Sequence, residues 1–147
     1  MFVPPYKALL GALGITAEQL DKQAEVTVSA KSLKLLIKAA VFGSEVDETG
    51  YLSANPDVRD ALAKRTITSA RQHYIAYGYY ESRQGGVRVD VDWYLKANPD
   101  VAAAIRAGKV TSASEHYYSS GAREFRAPNA AALDGCGKWK ASINKAP

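Results

Sequence analysis

His73 and His116 are the only two histidines in this 147-residue chain, and they stand 43 positions apart in the same local setting. Each precedes a tyrosine and lies five residues before a glycine. Two imidazoles in matched slots are what a metal centre or an acid–base pair would use. Neither has a second His, Cys or carboxylate three or four residues further along its helix, the spacing that would put a co-ligand on the same face. The simpler expectation is one structural imidazole per repeated unit, bonded to a backbone carbonyl or a helix cap. Glu81 and Arg83, and again Glu124 and Arg126, form a second matched set. Carboxylate and guanidinium groups can hold a substrate. A recurring E-x-R pair more often ties a loop to the body, with Arg bonding Asp57 or Asp100, or a Glu of the neighbouring unit.

The aromatic residues point outward from this symmetry. Tyr74 and Tyr117 match and are expected in the core, whereas Tyr77, Tyr79 and Tyr80 correspond to Ser120, Ala122 and Arg123. A cluster present in one copy only is not required by the repeat. With Trp93, Arg83 and Arg126, these tyrosines are the contact candidates for a protein or a sugar ring. The competing expectation is that the N-terminal helix covers them. Cys136 sits in Gly-Cys-Gly with no histidine near in sequence, so a nucleophilic role has little support. G-x-S-x-G, H-E-x-x-H, C-x-x-C, P-loop and EF-hand patterns are all missing. No catalytic residue, metal ligand or cofactor site is therefore assigned.

What positions these residues is a duplication. Residues 46–86 and 89–129 align without a gap, with 18 of 41 positions identical. The chain divides into an N-terminal helical segment (1–45), repeat 1 (46–88), repeat 2 (89–129) and a tail (130–147). Each repeat reads as three short helices. Asp47 and Asp90 cap the first. Asn55-Pro56-Asp57 and Asn98-Pro99-Asp100 start the second, with an Asn side-chain cap, Pro in the first turn and Asp at the positive end of the dipole. Ser69 and Ser112 open the third as capping boxes with Gln72 and Glu115. Gly78 and Gly121 are expected to end it in a left-handed conformation. Upstream, Thr16 to Gln19 has capping-box spacing. The segment from Ser29 to Gly43 is an amphipathic helix, with Leu33, Leu36, Ile37, Ala40 and Val41 expected on the buried face and Lys31, Lys34 and Lys38 opposite. The fold class is all-α: a short-helix bundle of two three-helix repeats plus an N-terminal helical segment. The tail with Trp139 is a further candidate cap.

The residues Tyr51-Leu52, Asn55-Pro56-Asp57-Val58, His73-Tyr74, Gly78, Glu81 and Arg83, with their equivalents from Tyr94 to Arg126, resemble a tandem bacterial module. Its pattern is Y-L-x-x-N-P-D-V followed by H-Y-x-x-x-G-x-x-E-G-R-x-P. It is found beside glycosyltransferases and methyltransferases of surface-polysaccharide pathways and in some secreted calcium-binding-repeat proteins. This chain departs at Ser82 and Phe125, where the pattern often has glycine, and at Gln84-Gly85-Gly86, where it has a proline. The resemblance implies a bacterial origin and an accessory role, without a known activity.

Composition narrows the partners. The net charge is +4, but the four segments carry balances of only +1, +1, 0 and +2 in chain order, with no basic stripe, which argues against nucleic acid. No apolar run is long enough to span a bilayer, the first residues make a poor signal peptide, and the lone cysteine suits a reducing compartment. A cytoplasmic location is expected, with signal-less export left open. Three functions follow in order. The first is a non-catalytic interaction or scaffold module acting on a protein or as a homo-oligomer. The second is a carbohydrate or small-ligand protein using Trp93, Tyr77, Tyr80, Arg83 and Arg126 between the repeats. The third is a small metal protein or enzyme built on His73 and His116.

Overall fold

The computed structural model describes residues 1–143; the final four residues of the 130–147 tail lie outside the described residues. The chain is all-α, with no strand among the described residues. No described helix is long and apolar enough to cross a membrane.

Helices α1 (Tyr6–Leu13), α2 (Ala17–Lys22) and α3 (Ala30–Gly43) make up the N-terminal segment. Gly14 ends α1 with φ 71°. Thr16 and Gln19 exchange both bonds of a capping box at α2, and the Ser29 hydroxyl caps α3. The α3 helix docks against the third helix of repeat 1, and the Arg71 guanidinium anchors its end by donating to the carbonyls of Phe42 (2.7 Å) and Ser44 (3.2 Å). The buried face of α3 differs from the expected one. Val41 is buried and Leu36 half-buried, but Leu33, Ile37 and Ala40 are exposed, while Ala39 turns inward. On that side Ser32, Leu36 and Ala39 share the lining of one pocket with Leu9 and Leu13 of the α1 segment.

Repeat 1 contains α4 (Glu48–Ala54), α5 (Pro56–Ala63) and α6 (Ala70–His73), and α6 widens into a π turn over Tyr74–Gly78. Repeat 2 matches it with α7 (Val91–Ala97), α8 (Pro99–Arg106), α9 (Ala113–His116) and a π turn over Tyr117–Gly121. A 3₁₀ turn and α10 (Leu133–Ile143) follow. The core is two separate clusters: Tyr51, Val58, Ala70 and Tyr74 in one, and Tyr94, Val101, Ala113 and Tyr117 in the other. Position by position these are the same residues. Each unit also closes its own backbone, because the Asp47 N–H donates to Gly86 O and the Asp90 N–H to Pro128 O, both at 3.0 Å.

Most helix ends follow from sequence. Asp47, Asp90, Ser69 and Ser112 cap as expected. The third-position side chains reach one residue further back than a capping box requires: Glu115 accepts from Thr111 N (2.9 Å) and Gln72 meets the Thr68 hydroxyl. Gly78 and Gly121 are not left-handed. The left-handed residues are Ser82 (φ 55°) and Phe125 (φ 53°), four positions later. There the Arg83 N–H bonds Gly78 O and the Ser82 N–H bonds Tyr79 O, the paired bonds of a Schellman end; Arg126 and Phe125 repeat them. Arg65 (φ 57°) and Gly108 (φ 68°) end α5 and α8 in the same way.

Candidate functional site

The duplicated polar residues are consumed inside their own repeats. Tyr51 and Tyr94 are fully buried, and each hydroxyl lies 3.0 Å from the Nδ1 of His73 or His116. The imidazoles therefore hold the first helix of the unit to the third through a side chain, rather than bonding a carbonyl or a cap. Burial raises the pKa of both phenols, which stay neutral and able to share that hydrogen bond. Gly78 and Gly121 sit where they do because a Cβ would overlap the Tyr51 or Tyr94 hydroxyl. No group of three or more His, Cys, Asp or Glu side chains able to hold a metal is found among the described residues.

The E-x-R pair is a clasp within one unit. Arg83 donates through Nε to Glu81 (2.6 Å) and through Nη1 to Asp57 (2.7 Å). Arg126 does the same with Glu124 (2.6 Å) and Asp100 (2.9 Å). The Arg83 bond holds the Asp57 carboxyl below the usual carboxylate range, and Arg126 does so for Asp100. Burial opposes the charge on Arg126, but its bonds to Glu124 and Asp100 outweigh that and its pKa rises. Asn55 and Asn98 complete the clasp and are not side-chain caps. Asn55 Nδ2 donates to Tyr51 O (2.8 Å) and Gln84 O (2.9 Å), while Oδ1 faces Arg83. Asn98 Nδ2 donates to Tyr94 O (2.8 Å), and its Oδ1 accepts from Arg126 (3.0 Å). Pro56 and Pro99 occupy the first helical turns as expected.

The contact candidates separate. Tyr77, Tyr79 and Tyr80 are 59, 45 and 52% exposed, so the N-terminal helix does not cover them. Tyr79 stands edge-on to both Tyr74 (6.2 Å) and Tyr80 (5.4 Å), so the core ring supports the surface pair. Tyr79 and Tyr80 join Lys34 and Ile37 of α3 and Trp139 of α10 around an open cleft of about 750 Å³. Trp139 is 65% exposed and caps no core. Tyr77 instead stacks near His73, at 5.6 Å. Trp93 is half-buried on α7 and lines neither this cleft nor the groove between the repeats.

That groove, of about 450 Å³, has different walls from those expected. Tyr74, Tyr79 and Arg83 contribute from repeat 1, and Tyr117, Tyr118 and Arg123 from repeat 2. Tyr77, Tyr80, Trp93 and Arg126 do not line it. Tyr118 was not legible as a wall residue, since its counterpart is Ile75 and no spacing rule links it to the linker. Its hydroxyl accepts from Val87 N (2.9 Å) and donates to Val87 O (2.6 Å), fastening repeat 2 to the chain between the units. Cys136 lies half-buried in α10 rather than in a flexible stretch, and burial pushes its thiol pKa up, away from the reactive thiolate. Compared with protein-family models, curated proteins and solved structures, the chain matches none of them.

Proposed function

We propose that this chain is a non-catalytic helical interaction module that docks on a protein, a second copy of itself included. Its docking face is formed by Ile37, Tyr79, Tyr80 and Trp139. One contrast supports this. The residues that could do chemistry, His73, His116, Arg83 and Arg126, are each occupied by partners in their own unit, whereas Tyr79, Tyr80 and Trp139 project outward around one cleft. Large rigid aromatic rings with polar tips make efficient anchors for a partner. Lys31, Lys34 and Lys38 flank the face on a helix without a single carboxylate, which favours an acidic partner surface. By the resemblance of its repeats, the module would serve a bacterial surface-polysaccharide or secretion process.

The test is light scattering, for self-association, together with photo-crosslinking from position 80 and, as a control, from Asp60 in cells of the source. The expected result is a specific adduct from position 80 alone, lost in Trp139→Ala without a change in melting temperature. A monomer that gives no adduct, or the same adducts from both positions, rejects the proposal.

A further inference from the structure

The groove between the repeats is lined by two core tyrosines whose hydroxyls the protein leaves unused. Tyr74 and Tyr117 are each 8% exposed, and both line the groove. Among the described residues neither phenol oxygen has a hydrogen-bond partner, yet no fully buried side-chain oxygen is left unsatisfied. Both hydroxyls must therefore reach solvent, and the groove is the opening that both residues share. They are equivalent positions of the duplication, so each unit contributes one such tyrosine to the lining of the groove. The fold requires the rings as core. It does not require the oxygens, since phenylalanine would fill the same core volume.

The other walls define what fits beside them. Tyr118 is fixed by its two bonds to Val87 and offers ring surface only. Tyr79 stands edge-on to Tyr74, and Tyr118 edge-on to Tyr117 at 5.3 Å, so each half presents an aromatic corner. Arg83 is outnumbered by Glu81 and Asp57, and Arg123, bonded to Ser119 O, restores the balance, leaving these wall groups and their partners with no net charge. A hydroxyl both donates and accepts, which suits another hydroxyl better than it suits an ion. Aromatic corners suit C–H faces. The volume falls within the roughly 300–1,000 Å³ of small-molecule sites. We infer that the inter-repeat groove binds a short neutral saccharide, with the Tyr74 and Tyr117 hydroxyls as its paired hydrogen-bonding groups. Apart from Tyr79 this site is separate from the docking face, and it stands or falls independently of that proposal.

The test is a titration of the full chain, carrying ¹³C-labelled tyrosine rings, with maltose, cellobiose, lactose and chitobiose, and with glucuronate as the charged control. At least one neutral sugar is expected to shift the Tyr74 and Tyr117 ring signals saturably while Tyr6 and Tyr77 stay still. Tyr74→Phe and Tyr117→Phe should each weaken binding roughly tenfold, the weight of a hydrogen bond in a shielded site, with unchanged melting. Ala122→Trp, which fills the groove from an exposed position, should abolish binding in a folded protein. The inference is overturned if no sugar moves either ring, which would leave the groove holding water only. It is equally overturned if glucuronate binds more tightly than every neutral sugar, or if both Phe variants bind like the parent.

Discussion

The Tyr51 hydroxyl and His73 Nδ1 meet at 3.0 Å across 22 residues of sequence, and Tyr94 and His116 repeat the contact at the same distance. Because Tyr51 is fully buried, removing its partner strands a polar oxygen. His73→Ala should cost about 1–3 kcal/mol in urea unfolding, and Tyr51→Phe less, since the half-buried imidazole it leaves behind can bond water. A double-mutant cycle should show strong coupling between the two positions. Additive effects would mean that the bond contributes nothing.

The same hydroxyl polices the glycine behind it. A Cβ at Gly78 would overlap it, and the ring around it cannot retreat. Gly78→Ala should therefore destabilise by about 1–3 kcal/mol. Adding Tyr51→Phe, which removes the nearest atom but leaves the Tyr51 ring carbon 2.9 Å from the new Cβ, should recover only part of that loss, and calorimetry of the single and double variants is the check.

Left-handed helix ends give a prediction of opposite signs at matched positions. Arg65 and Gly108 end equivalent helices with φ 57° and 68°, one strained and one at ease. Arg65→Gly and Ser82→Gly should each stabilise by about 0.5–1 kcal/mol, the left-handed penalty less the extra freedom glycine gives the unfolded chain. Gly108→Ala should cost about 1 kcal/mol. Phe125→Gly should not gain, because the half-buried ring is lost with the strain. Chemical denaturation of the four variants decides it.

The clasps set the acid limb of stability. Asp57 and Asp100 have lowered pKa values in the folded chain, so their contribution is complete above the ordinary carboxylate range and is lost as pH falls through the lowered values. The melting temperature should fall with acid in that window, and fall less steeply in Arg83→Met/Arg126→Met. Both carboxylates are largely exposed, so the effect should shrink in high salt. A melting curve insensitive to salt in that window would refute the assignment.

The alkaline limb belongs to Tyr74 and Tyr117. Burial raises both to about 12 against an ordinary 10.0, so their share of stability is complete below pH 10 and disappears as pH climbs toward 12. Tyrosinate absorbance from these two rings should rise only as pH climbs toward 12. Its appearance at the ordinary value of 10.0 would contradict their burial.

Much of the frame was legible because its causes are local. Asp47, Asp90, Ser69 and Ser112 cap at fixed short offsets, and Pro56 and Pro99 start helices for reasons contained in one turn. The role of Asn55 is hidden from the sequence because its partners, Gln84 O and Arg83, come from nearly 30 residues away, and a cap offset cannot register them. The role of Gly78 is hidden because two causes of glycine look alike in sequence. It is there for close approach of Tyr51, while the positive φ falls on Ser82, the place where the resembling pattern often carries glycine. The groove walls were missed because an unused hydroxyl on a core tyrosine leaves no trace in spacing.

Each repeat completes its own core and returns its own chain end, with Asp47 bonded to Gly86 and Asp90 to Pro128. Such a unit is a modular currency for evolution. A third copy could follow the second on the same plan, and every new junction would bring another recess between neighbours. Under this logic the number of recesses, rather than the shape of any one, is what duplication of the gene segment would tune.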